Sequence, residues 1–137
     1  MEKKICLKTP IFNIEELSFG KKDTSPVYPG TYYRVDCPDW VNILALTEQN
    51  QKAILIRQYR VGVEKDILET PGGLVEPSES KDPTMTAARE LEEETGYSSK
   101  NILSLGDSFP NPAMQTNRIH FFLALNCMPP EQRKHFP

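Results

Sequence analysis

A run of acidic residues carries the most specific chemistry in this chain. Residues 89–96 read Arg-Glu-Leu-Glu-Glu-Glu-Thr-Gly. On a helix, side chains three or four positions apart share a face, so Glu90, Glu93 and Glu94 are expected to project together. Like charges at this spacing, near the C-terminal end of a helix, are unfavourable. A bound divalent cation would offset that repulsion, so the pattern favours a cation site over a solvated charged face.

The neighbourhood of the glutamates indicates which cation they suit. Arg89 lies four residues before Glu93 and can hold that carboxylate in place. A Gly-Gly turn at residues 72–73 precedes the helix, where bare backbone can approach a ligand or offer a carbonyl oxygen. Carboxylates with a carbonyl form an all-oxygen site, which suits Mg²⁺ or Mn²⁺ and not zinc.

One helix must position these carboxylates. Asp82 is a suitable N-cap, Pro83 suits the first turn, and Gly96 suits a left-handed C-cap. On the side away from the glutamates, we expect the helix to pack against a sheet through Ala88, Leu91 and Thr95.

The other elements are short strands. Polar residues 48–51 separate two apolar runs and predict a hairpin. Strands before and after one helix indicate a mixed α+β or layered α/β/α domain. The predicted strands cover residues 31–35, 41–46, 53–57, 66–70, 102–105 and 119–125.

Composition excludes several classes of protein. The chain has 137 residues, enough for one ordinary domain, and a formal net charge of −3, which argues against a nucleic-acid partner. The N-terminus lacks the apolar run of a signal peptide, and residues 121–125 are too few to cross a membrane. Three scattered cysteines are typical of reduced thiols. We therefore predict a cytoplasmic protein that binds neither nucleic acid nor membrane.

The acidic run also resembles a known family motif. Gly73, Glu79 and residues 89–97 resemble the Nudix box, which reads glycine, five residues, glutamate, seven residues, then Arg-Glu-apolar-x-Glu-Glu-x-Gly-apolar. In this chain nine residues separate Glu79 from Arg89. The two additional residues precede the cap Asp82, so the helix register is kept. Whether Glu79 or Glu76 serves as the first box glutamate stays open.

The resemblance implies a fold and a set of roles. The fold would be an α/β/α sandwich with a mixed sheet, preceded by an antiparallel β segment. Glu90, Glu93 and Glu94 would be catalytic ligands of Mg²⁺, with Mn²⁺ as a substitute. The Gly72 carbonyl would add an oxygen, and Arg89 would orient Glu93.

A second resemblance covers most of the chain. Residues 54–60, 68–76, 108–112 and 118–124 are similar to the ADP-ribose and nucleoside diphosphate sugar pyrophosphatase branch. It implies an enzyme that splits such a substrate into a nucleoside monophosphate and a sugar phosphate. It also implies a homodimer, with residues 1–39 as the dimerisation or substrate-contact region and residues 40–137 as the Nudix domain. Substrate contacts are expected at Arg57, Arg60, Glu69, Pro112 and Asn117.

Several alternatives remain open at this stage. The loop at residues 111–117 lacks the acidic residue that the branch usually places near Asn117, so GDP-mannose or another sugar nucleotide is a candidate beside ADP-ribose. A sensor that binds such a ligand without cutting it, and a housecleaning enzyme for nucleoside triphosphates, are the other functions. Trp40 and Tyr59 could stack on a base, although packing is their commoner role.

The C-terminal part is expected to be incomplete. The family carries a last strand and helix after the strand at residues 119–125, and a sheet ending here would leave an unpaired edge. The general base is therefore Glu131, a box glutamate or a residue beyond the end of this chain.

Overall fold

The computed structural model describes residues 1–21, 28–49 and 51–130. The chain divides into two compact units. One comprises Met1–Pro38 with Phe109–Arg118, and the other comprises Asp39–Ser108 with the stretch that begins at Ile119. The boundaries proposed above, 1–39 and 40–137, stay a prediction.

The first unit contains a three-stranded antiparallel sheet. Strands β1 (Glu2–Lys8), β2 (Asn13–Phe19) and β3 (Gly30–Asp36) lie in the order β1-β2-β3. Of these three strands, the sequence predicted the range of β3 and gave no ranges for β1 and β2. The sheet also holds residues 109–118, because Val35 donates its N–H to the Met114 carbonyl at 2.7 Å and accepts from the Thr116 N–H at 3.1 Å.

A charged residue lies buried on the central strand of this sheet. Glu15 is 1% exposed. Its carboxylate accepts from Lys3 Nζ at 2.8 Å and from Arg34 Nε at 2.9 Å. These two cations lower the pKa of Glu15, against the opposing effect of burial. The ion pairs thus link the three strands through one side chain.

The second unit is built on a mixed sheet. Its elements are β4 (Trp40–Thr47), β5 (Ala53–Ile54), β6 (Ile56–Arg60), β7 (Lys65–Glu69), β8 (Gly72–Leu74), α1 (Pro83–Thr95), β9 (Asn101–Ser108) and β10 (Ile119–Cys127). The strand order is β5-β4-β10-β9, and β8 also pairs with β4. β10 runs parallel to β4, whereas β5, β8 and β9 pair antiparallel to their neighbours.

The predicted hairpin is present, but its second strand is divided. β5 pairs with β4, whereas β6 pairs with β7 as a separate two-stranded sheet. The prediction of one continuous strand at residues 53–57 was therefore wrong. The chain changes its pairing partner at Leu55, from the preceding strand β4 to the following strand β7, and the apolar run at residues 53–57 carries no local mark of that change.

The helix begins and ends where the sequence predicts. Asp82 Oδ1 accepts from the Thr84 N–H at 3.1 Å, and Gly96 adopts a left-handed φ of 73°. The buried residues of α1 are Thr86, Ala87 and Leu91, and Ala88 is exposed. Placing Ala88 against the sheet was wrong, because four residues back from the fully buried Leu91 is Ala87.

The core of the second unit lies between α1 and one face of the sheet. It contains Val41, Ile43 and Ala45 from β4, Phe122, Ala124 and Cys127 from β10, Ala87 and Leu91 from α1, and Val75. Because a strand alternates its faces, Trp40 and Asn42 point to the side of β4 away from this core.

Cys6, Cys37 and Cys127 form no disulfide bonds with one another. Across the described ranges, no helix is long and apolar enough to cross a membrane.

Candidate active site

Arg89 and Glu79 of the second unit form an ion pair joined by two hydrogen bonds. Arg89 Nε donates to Glu79 Oε1 and Nη2 donates to Oε2, each at 3.1 Å. The Thr86 hydroxyl donates to Oε2 at 2.8 Å. These contacts, with Arg89 first, lower the pKa of Glu79 from 4.5 to about 2. Glu79 is 9% exposed, whereas Glu76 is exposed. The contacts thus favour Glu79 over Glu76 as the first box glutamate.

The same guanidinium reaches two glutamates of the helix. Arg89 Nη1 donates to Glu90 Oε1 at 2.8 Å and to Glu93 Oε2 at 3.0 Å. The surrounding carboxylates, Glu79 foremost, raise the pKa of Arg89. The expected contact with Glu93 is therefore part of a wider arrangement, in which one side chain fixes the carboxylates of Glu79, Glu90 and Glu93.

Glu94 points toward residues 72–73, here called the Gly-Gly segment. The expectation of a turn at these residues was wrong, because they form the start of β8 and pair with β4. Glu94 Oε2 accepts from the Gly72 N–H at 2.9 Å. Burial raises the pKa of Glu94, and the charge of Glu90 adds to that increase, while the Gly72 amide opposes it. Gly73 leaves the space that the Glu90 carboxylate fills, because a Cβ at residue 73 would overlap that group. The Gly-Gly segment and the helix are therefore fitted to each other at two points.

The donor set suits a divalent cation. Glu90 and Glu94 bring like charges close together beside the half-buried Gly-Gly segment, and a cation bound there would relieve their repulsion. Among residues 1–21, 28–49 and 51–130, no three His, Cys, Asp or Glu side chains form a ready-made cation cage. Glu90 and Glu93 are instead turned toward Arg89. Binding a cation therefore requires these carboxylates to share or exchange their arginine contacts.

A cavity of about 460 Å³ is lined in part by the Gly-Gly segment. One of its walls carries an ion pair, in which Arg60 Nε donates to Glu69 Oε1 at 2.7 Å. The Thr70 hydroxyl donates to Asn42 Oδ1. The charges of Arg60 and Glu69 also influence the pKa of Glu94, in opposite directions. The lining residues are Trp40, Val41, Asn42, Arg60, Glu69, Thr70, Gly72, Gly73, Leu74 and Ile119.

The residues expected to contact substrate fall into separate places. Arg60 and Glu69 line the cavity, whereas Arg57 is exposed on β6 and does not. Pro112 and Asn117 belong to the first unit. Asn117 is 2% exposed, and within the described part of the chain its Oδ1 has no hydrogen-bond partner. Glu131, one of the three options for the general base, lies outside the described residues.

Two polar cavity residues, Asn42 on β4 and Thr70 after β7, were not among the predicted site residues. Trp40, for which stacking on a base was the less common of two expected roles, also lines the cavity. Asn42 carried a usable signal, since it interrupts an otherwise apolar strand at residues 41–46. His120 Nε2 lies 2.9 Å from Asp39 Oδ2.

Comparison with known proteins decides the family. The profile of the NUDIX domain matches residues 38–135, which include the helix, the Gly-Gly segment and the cavity. The chain belongs to the Nudix family. The match includes residues 73–97, the segment that resembles the Nudix box.

Relatives of this Nudix chain include several pyrophosphatases. It is 39% identical over 87 residues to the ADP-ribose pyrophosphatase of Bacillus subtilis (strain 168), covering 64% of this chain and 45% of the relative. It is 40% identical over 87 residues to the methanol dehydrogenase activator of Bacillus methanolicus, with the same coverage. It is 33% identical over 88 residues to the GDP-mannose pyrophosphatase of Citrobacter koseri, covering 60% of this chain and 44% of the relative. The Nudix chain thus spans less than half the length of these relatives.

A solved structure described as an ADP compounds hydrolase shares the fold. Its TM-score is 0.75 at 24% identity, covering 100% of this chain and 71% of that one. The likeness confirms the predicted Nudix-type α/β/α sandwich with a mixed sheet.

Proposed function

We propose that this Nudix domain hydrolyses the pyrophosphate bond of a nucleoside diphosphate sugar. Water attacks one phosphorus, the bridging P–O bond breaks, and a nucleoside monophosphate and a sugar phosphate leave. The observation that carries the proposal is the Gly-Gly segment, which contacts Glu90 and Glu94 and also lines the cavity beside Arg60 and Glu69. Carboxylates for a cation and an arginine for phosphate are thereby joined in one unit.

The cation would be Mg²⁺, with Mn²⁺ as a substitute. Glu90, Glu93, Glu94 and the Gly72 carbonyl are the oxygens that would hold it. When bound, such a cation neutralises developing phosphate charge and makes water more acidic. This assignment is supported by the hard-oxygen donor set and by the repulsion between Glu90 and Glu94.

The chain's own residues divide the remaining work. Arg89 positions Glu90 and Glu93, while Glu79 fixes the guanidinium. Arg60 has further N–H groups beyond the one given to Glu69, and these donate to phosphate oxygens. Glu69 accepts from a ribose or sugar hydroxyl.

Residues elsewhere in the chain complete the proposal. Arg57, Pro112 and Asn117 are further substrate contacts. The protein acts in the cytoplasm as a homodimer, with residues 1–39 supplying dimer and substrate contacts. Light scattering tests the assembly, and a monomer mass would contradict it. Cell fractionation tests the location.

The names of the relatives support the substrate class. The Bacillus subtilis relative is named for ADP-ribose and the Citrobacter koseri relative for GDP-mannose. Both are nucleotides joined to a sugar through a pyrophosphate, which is the bond that the proposed reaction breaks.

The test is hydrolysis of a small panel with Mg²⁺, with Mn²⁺ and with EDTA. The panel contains ADP-ribose, GDP-mannose, UDP-glucose, a dinucleoside polyphosphate and dGTP. We expect metal-dependent cleavage of a sugar nucleotide, with a nucleoside monophosphate as product. Pyrophosphate released from dGTP, with the sugar nucleotides left intact, would instead identify a housecleaning enzyme. Binding without any cleavage would identify a sensor.

A further inference from the structure

One end of the cavity is apolar and built from three neighbouring strands. Trp40 on β4 lies opposite Leu74 of β8 and opposite Ile119 of β10 in the strand register. All three residues line the cavity. They form what we call the apolar row. Because strands are spaced by about 4.8 Å, three of them give a row about 10 Å wide, comparable to a nucleobase.

The apolar row is not part of the core. Core residues of β4 are Val41, Ile43 and Ala45, which alternate with Trp40 and face the opposite side of the sheet. Leu74 is 41% exposed. Within the part of the chain that the structure describes, the row therefore presents a partly open surface to the cavity.

The other end of the cavity is polar. Asn42 lies two residues along β4 from Trp40, on the same face. Its Oδ1 accepts a hydrogen bond from the Thr70 hydroxyl. Arg60 and Glu69 pair at the same end. A ligand spanning the cavity thus meets a charged, hydrogen-bonding end and an apolar end carrying one aromatic ring.

We propose that the apolar row is the base subsite, where the nucleobase of the substrate stacks on Trp40 between Leu74 and Ile119. This inference rests on the proposed function and names the part of the substrate that this end of the cavity takes. A sugar carries several hydroxyls around its ring, and the row offers only the indole N–H as a hydrogen-bonding side-chain group. A flat heterocycle can instead bury its face on the row.

The chemistry of the row also sets its selectivity. Stacking tolerates different bases, because every base has a π-face. The row therefore distinguishes bases by stacked area rather than by hydrogen bonds. Adenine and guanine nucleotides should bind more tightly than uracil nucleotides, and none should be rejected outright.

The intrinsic fluorescence of Trp40 tests the proposal, because this is the one tryptophan among the 137 residues. The wild-type protein is titrated in EDTA with AMP, GMP, UMP and, as the base-free control, ribose 5-phosphate. We expect the nucleotides to quench the emission, purines at lower concentration, and ribose 5-phosphate to leave it unchanged. Equal quenching by ribose 5-phosphate, or calorimetric binding of AMP without a change in emission, would overturn the base subsite.

Variants give a second readout. Trp40→Leu should raise the KM for ADP-ribose by about tenfold, and Trp40→Phe should recover most of the loss, as expected for a lost stacking contact. Tyr59→Leu is the matched control, because Tyr59 is 58% exposed on β6 and does not line the cavity. Equal effects of Trp40→Leu and Tyr59→Leu on KM would contradict the proposal.

The two proposals fail separately. Hydrolysis of sugar nucleotides without base-dependent quenching would refute the base subsite and support the proposed reaction. Base-dependent quenching without hydrolysis of any sugar nucleotide in Mg²⁺ would refute the proposed reaction and support the base subsite.

Discussion

The guanidinium of Arg89 donates to both carboxylate oxygens of Glu79 through Nε and Nη2, and it donates to Glu90 and Glu93 through Nη1. Glu79 comes from the loop before the helix, whereas Glu90 and Glu93 lie on the helix itself. The loop therefore sets the position of the arginine, and the arginine sets the positions of the two carboxylates. Such partners of ligand residues commonly affect metal affinity or activity by 10- to 100-fold.

Glu79→Gln should lower kcat/KM for the sugar nucleotide by roughly 10- to 100-fold, because the neutral amide holds Arg89 less firmly. The matched control is Glu76→Gln, which changes an exposed glutamate of the same loop. Steady-state kinetics with Mg²⁺ measure both variants. A larger loss in Glu76→Gln than in Glu79→Gln would reverse the assignment.

Glu79 should also make folding stability depend on pH. Its folded pKa of about 2 lies below the ordinary value of 4.5. Above pH 4.5 the ion pair contributes fully. As the pH falls from 4.5 toward 2, the unfolded chain takes up a proton that the folded chain does not, so the contribution is lost.

Urea unfolding of the wild type and of Glu79→Gln at a series of pH values measures this effect. The wild type should be the more stable protein near neutral pH, and the difference in free energy of unfolding should shrink at acidic pH. If the difference in free energy of unfolding stays constant from neutral pH down to about pH 2, the Glu79 carboxylate does not cause the pH dependence.

Gly73→Ala should impair activity more than folding. The added Cβ overlaps the carboxylate of Glu90, which is the flexible end of its side chain and can move aside. A displaced ligand of this kind can reduce kcat by roughly 100-fold. Gly62→Ala is the control, since nothing lies within 4 Å of a Cβ built there. Melting temperature and kcat are measured together. A Gly73→Ala enzyme with wild-type kcat would contradict the fit between the Gly-Gly segment and the helix.

Glu94→Gln should reduce the Mg²⁺-dependent rate by more than about 100-fold, since it removes a charged metal ligand from the proposed site. Stability should be unchanged or higher, because the variant removes a half-buried charge beside Glu90. Glu92→Gln, on the exposed side of the helix, serves as the control. Activity and thermal unfolding decide the point, and full activity in Glu94→Gln would refute the ligand assignment.

The sequence by itself determined the local features of this protein. Capping by Asp82 and Gly96, and the placement of Glu90, Glu93 and Glu94 within one helix, follow from residue types and spacings of a few residues. These signals are local because a helix and a strand repeat every 3.6 and 2 residues. They were enough to predict the box helix, most strands and the family.

Only the tertiary structure decided which residues share the cavity and which glutamate holds Arg89. Trp40, Leu74 and Ile119 come together because β4 pairs with β8 and β10, strands that are distant in the sequence. Glu79 is the loop glutamate that pairs with Arg89, because the loop turns its carboxylate inward toward that arginine. Pairing of remote strands and the path of a loop depend on contacts across the whole unit, which no short window of sequence contains.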